Sequence, residues 1–168
     1  MSYVDIACRA VLALTFAAAV WGKVRDHARW TAFRSSLTAF LRSNRRAHVV
    51  AVVVVTAEAG AAVSQLSPFR WMGYGLAFGL LAAFSGFVVL VLRRRLGLAC
   101  NCFGRSSPVR GRHLARNGLL LLITTVGLTA AVVGESGVHP AGLAMSLGTA
   151  FCLAIAIVRF DDVVEILP

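Results

Sequence analysis

Trp71–Leu92 reads WMGYGLAFGLLAAFSGFVVLVL, without one charged side chain. A helix rises about 1.5 Å per residue, so a helix of this length crosses the ~30 Å hydrocarbon core of a bilayer. In lipid no water is at hand to bond free N–H and C=O groups, so a helix that bonds its own backbone is the form such a stretch takes. Arg93, Arg94 and Arg95 close the segment, and Pro68 and Arg70 precede it. Further spans follow on either side: about Val4 to Gly22, Ala47 to Leu66, Leu114 to Val133, and Ala141 to Val158 after a short turn from Gly134 to Pro140. The chain is 58% hydrophobic and 14% charged, with a mean hydropathy of +0.78. Soluble domains carry roughly 45–50% apolar and about 25% charged residues, so both departures point to the membrane. The expected fold is all-α: a polytopic membrane helical bundle of four core transmembrane helices plus a fifth, with residues 1–168 forming a single transmembrane domain.

The formal net charge is +10, from 17 Lys+Arg against 7 Asp+Glu. On a soluble chain this balance would suggest nucleic acid. Here the basic residues lie between the apolar segments, where they set topology and meet lipid headgroups, so the bilayer is the expected partner and nucleic acid is not. Lys23 is the only lysine among them. The abundance of Arg, Ala, Val and Gly suits a GC-rich bacterial genome, and the expected location is a bacterial plasma membrane, crossed several times.

Between the first and second spans, Lys23–Arg46 is basic, with Trp30, Phe33, Leu37, Phe40 and Leu41 at helical spacing. The pattern predicts an amphipathic segment lying in the membrane interface. Asp5 and Arg9 interrupt the first span, and a basic leading region is nearly absent. A cleaved signal peptide therefore fits less well than a retained helix, although Ala17–Ala19 resemble a cleavage region. Gly75 and Gly79 have the spacing that permits close helix contact.

The four cysteines are Cys8, Cys100, Cys102 and Cys152. The pair in Cys100-Asn101-Cys102-Phe103-Gly104 could close a small-ring disulfide, which departs from relaxed geometry and is more easily reduced. Arg93, Arg94, Arg95 and Arg105 favour the reactive thiolate. Other uses stay open on chemistry alone. The pair could join a metal site, but there is no second cysteine pair and His113 alone is a poor complement, so no metal is expected. It could carry lipid, or be inert. Cys8 and Cys152 read as small packing residues within apolar segments.

Gly22-Lys23 closes the first span, Glu58 lies within the second, C-x-C-F-G follows the third, and Arg116-Asn117 opens the fourth. In this order, from about Ala7 to Leu122, the chain resembles the MauE family, the methylamine-utilisation membrane proteins of the wider DoxX-like group. Asn101 stands where Gly is common in the family. The resemblance implies a membrane component that forms or maintains disulfides in exported proteins beside a separate thioredoxin-like protein. No cofactor is expected. A quinone or a thioredoxin-like protein as electron donor or acceptor has no support in the residues themselves.

Glu58 is a carboxyl near mid-span, where a charge without compensation is costly. It reads as a proton relay for the thiols or as a partner for Lys23 or an arginine, against the alternative of a protonated carboxyl bonded between helices. Lys23 could snorkel to the interface, and Asn117 could bond across helices or cap the fourth span. The candidate site is therefore Cys100 and Cys102 as redox pair, with Glu58, Lys23 and Asn117. His27, His48, His113 and His139 are scattered and receive no role.

With five spans, 15 of the 17 basic residues fall on one side, Arg9 and Arg70 being the others. The charge bias makes that side, which also carries the cysteine pair, cytoplasmic. The expected function is a membrane thiol–disulfide redox component, with its standing as enzyme or accessory open. The alternatives are a non-catalytic membrane scaffold, and a small transporter or lipid-binding bundle using Glu58.

Overall fold

In the computed structural model, residues 3–94, 99–100, 107–108, 111–133 and 139–160 are described. Five helices are long and apolar enough to cross a membrane: α1 (Tyr3–Val24), α3 (Asn44–Ser64), α4 (Arg70–Arg93), α5 (Gly111–Val133) and α6 (Pro140–Val158). The shorter α2 (His27–Leu41) lies between α1 and α3. Between α4 and α5, β1 (Ala99–Cys100) and β2 (Ser107–Pro108) form a two-residue antiparallel ladder that pairs Cys100 with Ser107. The chain is thus a multi-pass helical membrane protein.

Helix α1 is the axis of the bundle. Its buried residues Asp5, Cys8, Arg9, Val11, Leu12, Thr15, Phe16, Ala19, Gly22 and Lys23 follow the three-and-four spacing of one helical face. That face packs most extensively against α6, then α3 and α5. The fifth span therefore lies directly on the first, and Ala150 and Ile157 of α6 join the core with Leu12, Phe16, Tyr74, Leu81 and Leu120.

Between membrane helices the contact is steric and polar, since lipid is as apolar as leucine, so small residues mark where helices meet closely. Gly127 of α5 is such a point: a Cβ there would run into the Tyr74 hydroxyl oxygen and lie 2.7 Å from Cys8 Cβ. Cys8 is buried at this crossing, as its apolar setting predicts, whereas Cys152 is exposed on the outer face of α6. The glycine spacing of α4 misleads: Gly75 and Gly79 are exposed and a Cβ on either would meet nothing within 4 Å. The inward face of α4 is instead Gly73, Tyr74, Ala77, Leu81, Val88 and Val91.

The amphipathic stretch is shorter than its composition suggests, because α1 runs on to Val24 and α3 begins at Asn44. Asp26 caps α2 by accepting from the Ala28 N–H (3.3 Å). Arg42 ends it in the left-handed region (φ 52°), with its N–H bonded to the Thr38 carbonyl at 2.9 Å. Trp30 meets the ring of His48 on α3 at 6.2 Å, and Phe40 meets Phe87 on α4 at 5.2 Å. Helix α2 therefore crosses one end of the bundle from α3 to α4, and it also touches β1.

Candidate functional site

Val24, the last residue of α1, shares a groove with Val52, Val55 and Thr56 of α3. The first turns of α3 thus extend past the end of α1, and α2 folds back across the gap. This local arrangement decides the fate of Lys23. A lysine at a span terminus ordinarily reaches for the headgroups. Here Lys23 is fully buried, its ammonium donating to both carboxylate oxygens of Glu58 at 2.7 and 2.8 Å and lying 3.5 Å from the Ala19 carbonyl oxygen. The rings of Phe33 on α2 and Phe84 on α4 flank the ammonium, their centroids 5.4 and 6.0 Å away. The snorkelling reading of Lys23 is overturned by the helix that roofs it.

Glu58 is 2% exposed and points into the bundle, as the cost of a lipid-facing carboxyl requires. It forms one wall of a cavity of about 40 Å³, whose other polar linings are Thr15, His113, Arg116 and Asn117. Phe16, Phe84 and Phe87 supply much of the apolar wall. The volume is enough for a few water molecules, and the polar walls offer them partners. His113, Arg116 and Asn117 stand at the i, i+3 and i+4 positions of α5 and are all buried. Arg116 is near enough to Lys23 to repel it electrostatically. The site therefore joins a carboxylate, two cations, an imidazole and an amide, drawn from α1, α3 and α5.

Of the candidate residues, Lys23, Glu58 and Asn117 come together here. Cys100 is described only through its backbone in β1, at the end of the bundle that α2 crosses. Its side chain, and the whole of Cys102, lie outside the described residues. His113 and Arg116 belong to the site but received no role from the sequence. The signal that could have found them is spacing: His-x-x-Arg-Asn, continued by Leu120, Thr124 and Gly127, is one face of α5, and that face is the buried one. Among the described residues, no three His, Cys, Asp or Glu side chains gather as metal ligands.

A second polar cluster ties α1 to the turn between α3 and α4. Arg9 donates through Nε to the Gln65 carbonyl at 2.6 Å and through Nη2 to the Ser67 carbonyl, answering carbonyls that the end of α3 leaves open. Gln65 Nε2 donates to the Gly73 carbonyl at 2.8 Å, and the Tyr74 hydroxyl to Asp5 Oδ1 at 2.7 Å. The two charges that interrupt the first span thus belong to the interior.

Fold and site together define a polytopic membrane bundle with a buried ion pair beside a small cavity that has polar groups on its wall. The family model of methylamine utilisation protein MauE matches residues 1–134, and the chain belongs to that family. The match takes in α1 to α5, including both polar clusters and the cysteine loop, and reaches beyond Leu122, where the motif resemblance ends. No curated protein and no solved structure matches the chain.

Proposed function

We propose that this MauE-family protein is a thiol–disulfide redox component of a bacterial plasma membrane. In it Cys100 and Cys102 exchange electrons with a separate thioredoxin-like protein, in support of disulfide formation in exported proteins. The observation that carries the proposal is the position of β1. The strand that holds Cys100 abuts α2, and α2 lays Phe33 over the ammonium of Lys23, whose partner Glu58 forms one wall of the cavity. A reactive pair needs a thiolate to attack and somewhere for protons to go. A buried carboxylate–ammonium pair beside water-sized space suits the second need. Glu58 acts as proton relay, Lys23 as its counter-charge, and Asn117 as a hydrogen-bonding wall of the cavity. The alternation of five spans puts the basic α2 and the cysteine ladder at the same end, so the charge bias assigns both to the cytoplasmic side. Reducing equivalents then pass between a cytoplasmic donor and the bundle.

The test is to trap mixed disulfides in cells. Cys100→Ser and Cys102→Ser should each stop cycling, since neither thiol resolves alone, and one of the two should accumulate a mixed disulfide with a partner. Cys100, the thiol farther from the fourth span, is the expected attacking one. If the double substitution leaves maturation of exported disulfide proteins intact and no mixed disulfide is trapped, the proposal fails and the scaffold reading replaces it.

A further inference from the structure

The groove where α1, α2 and α3 meet has a volume of about 480 Å³, within the ~300–1,000 Å³ of sites that hold small molecules. Its two halves differ in chemistry. Helix α3 enters the membrane from Asn44, so its groove residues Val52, Val55 and Thr56 lie roughly two to three turns in. They share one helical face, with Val24 of α1 opposite. The Thr56 hydroxyl is spent on its own helix, donating to the Val52 and Val53 carbonyls at 2.9 and 3.0 Å. This half therefore asks for an apolar occupant, and Val52 and Val53 are open to lipid beside it. The other half is Asp26, His27 and Trp30, at the start of α2. Asp26 is the one acidic residue between Asp5 and Glu58, in a stretch otherwise basic. Its Oδ1 accepts the Ala28 N–H at 3.3 Å, and among the described residues no cation pairs with its carboxylate. Trp30 is held by ring contacts with Phe33 and His48, 6.3 and 6.2 Å between centroids. Arg25, exposed, precedes Asp26. A carboxylate and an indole face one end of the groove, an imidazole and a guanidinium stand next to them, and an apolar channel leads inward.

We propose that this groove seats one phospholipid whose headgroup carries a primary ammonium, the phosphatidylethanolamine class, drawn from the leaflet at the α2 end of the bundle. The ammonium donates to Asp26 and lies against the indole of Trp30. The phosphate accepts from the His27 ring N–H and meets Arg25. One acyl chain follows Val52, Val55 and Thr56 inward. Charge complementarity selects this headgroup over the other common ones. A lipid with a bare acidic headgroup would bring its charge against Asp26. A choline headgroup could stack on Trp30 but has no N–H to give the carboxylate.

The experiment strips the full-length protein of lipid in detergent. It is then titrated separately with phosphatidylethanolamine, phosphatidylcholine and phosphatidylglycerol of the same acyl chains, and the first bound lipid is read by native mass spectrometry. The wild type should hold phosphatidylethanolamine about fivefold more tightly than phosphatidylcholine, the scale of one partly exposed ion pair. Asp26→Asn and Asp26→Ser keep a capping side chain without the charge. Both should leave thermal unfolding unchanged and bring phosphatidylethanolamine down to the affinity of phosphatidylcholine. Val55→Trp, which fills the apolar half, should weaken all three lipids. His139→Gln, exposed at the far end of the bundle, should bind as wild type. Equal affinity for the three lipids, tighter binding of phosphatidylglycerol, or a folded Asp26 variant that keeps the wild-type preference overturns the inference. So does a dimer that Val55→Trp dissolves, which would make a second copy of the chain the occupant.

Discussion

The bundle has two buried polar clusters, one at each end of α1, and they are built on opposite plans. At the Asp5–Arg9 end, long side chains bond backbone carbonyls: Arg9 takes those of Gln65 and Ser67, and Gln65 takes that of Gly73. Such contacts close a helix terminus and fix a turn, which is structural work. At the Lys23–Glu58 end, side chains meet side chains around open volume, with an imidazole, a guanidinium and an amide on the wall. Polar groups spent on backbone bonds have little left for chemistry, whereas those facing a cavity of water-sized volume have room to exchange protons. Burial alone does not separate the two clusters. What separates them is that most donors of the first end on backbone carbonyls, the Tyr74–Asp5 bond apart, while the second lines a cavity.

That contrast can be broken by substitution, and the largest effect should come from the ion pair. Lys23→Met should destabilise the protein by about 3–5 kcal/mol, because it leaves Glu58 buried without its partner, while Lys23→Met with Glu58→Leu should recover much of that loss. Thermal unfolding in detergent measures both. A double variant as unstable as the single one would mean that the pair is not the source of the effect.

Next in size is the crossing of α1, α4 and α5. Gly127→Val should destabilise by about 1–3 kcal/mol through overpacking against Tyr74 and Cys8. Gly75→Val, on the open face of α4, should be close to neutral in the same melt.

Tyr74→Phe sharpens the comparison directly. It removes the hydroxyl bond to Asp5 and should lower stability by about 1–2 kcal/mol. Thiol cycling should be unchanged. A clear fall in cycling with stability intact would show that the Asp5 end takes part in function.

The smallest effect belongs to neither cluster. Arg42 sits in the left-handed region where glycine is at ease, so Arg42→Gly should be neutral or stabilise by up to about 1 kcal/mol. A marked loss would show that the side chain contributes more than its backbone strain removes.

Membrane spans are legible in a sequence because a helix must hide its backbone from lipid over a set length, a constraint that acts on each segment separately. Trp71–Leu92 alone therefore announced the fold class, and the spans expected at Val4, Ala47, Leu114 and Ala141 each lie within a helix or within two residues of its end. The same logic made Glu58 an inward residue, since its charge could not face lipid. Side-chain partners obey no such local rule. Lys23 stands at a helix end, and nothing near it in sequence says that α2 returns across that end and turns an interfacial lysine into a buried one. Gly75 and Gly79 carry the contact spacing but face outward, while Gly127, which carries no motif, holds the crossing. His113 and Arg116 follow the right periodicity, yet they became a site only when α5 turned that face toward Glu58 on another helix. The sequence by itself determined how many times the chain enters lipid and which residues could not stay there unpaired. Which of them pair, and around what space, was decided by the packing of α1, α2, α3 and α5, because those contacts join residues far apart in the chain.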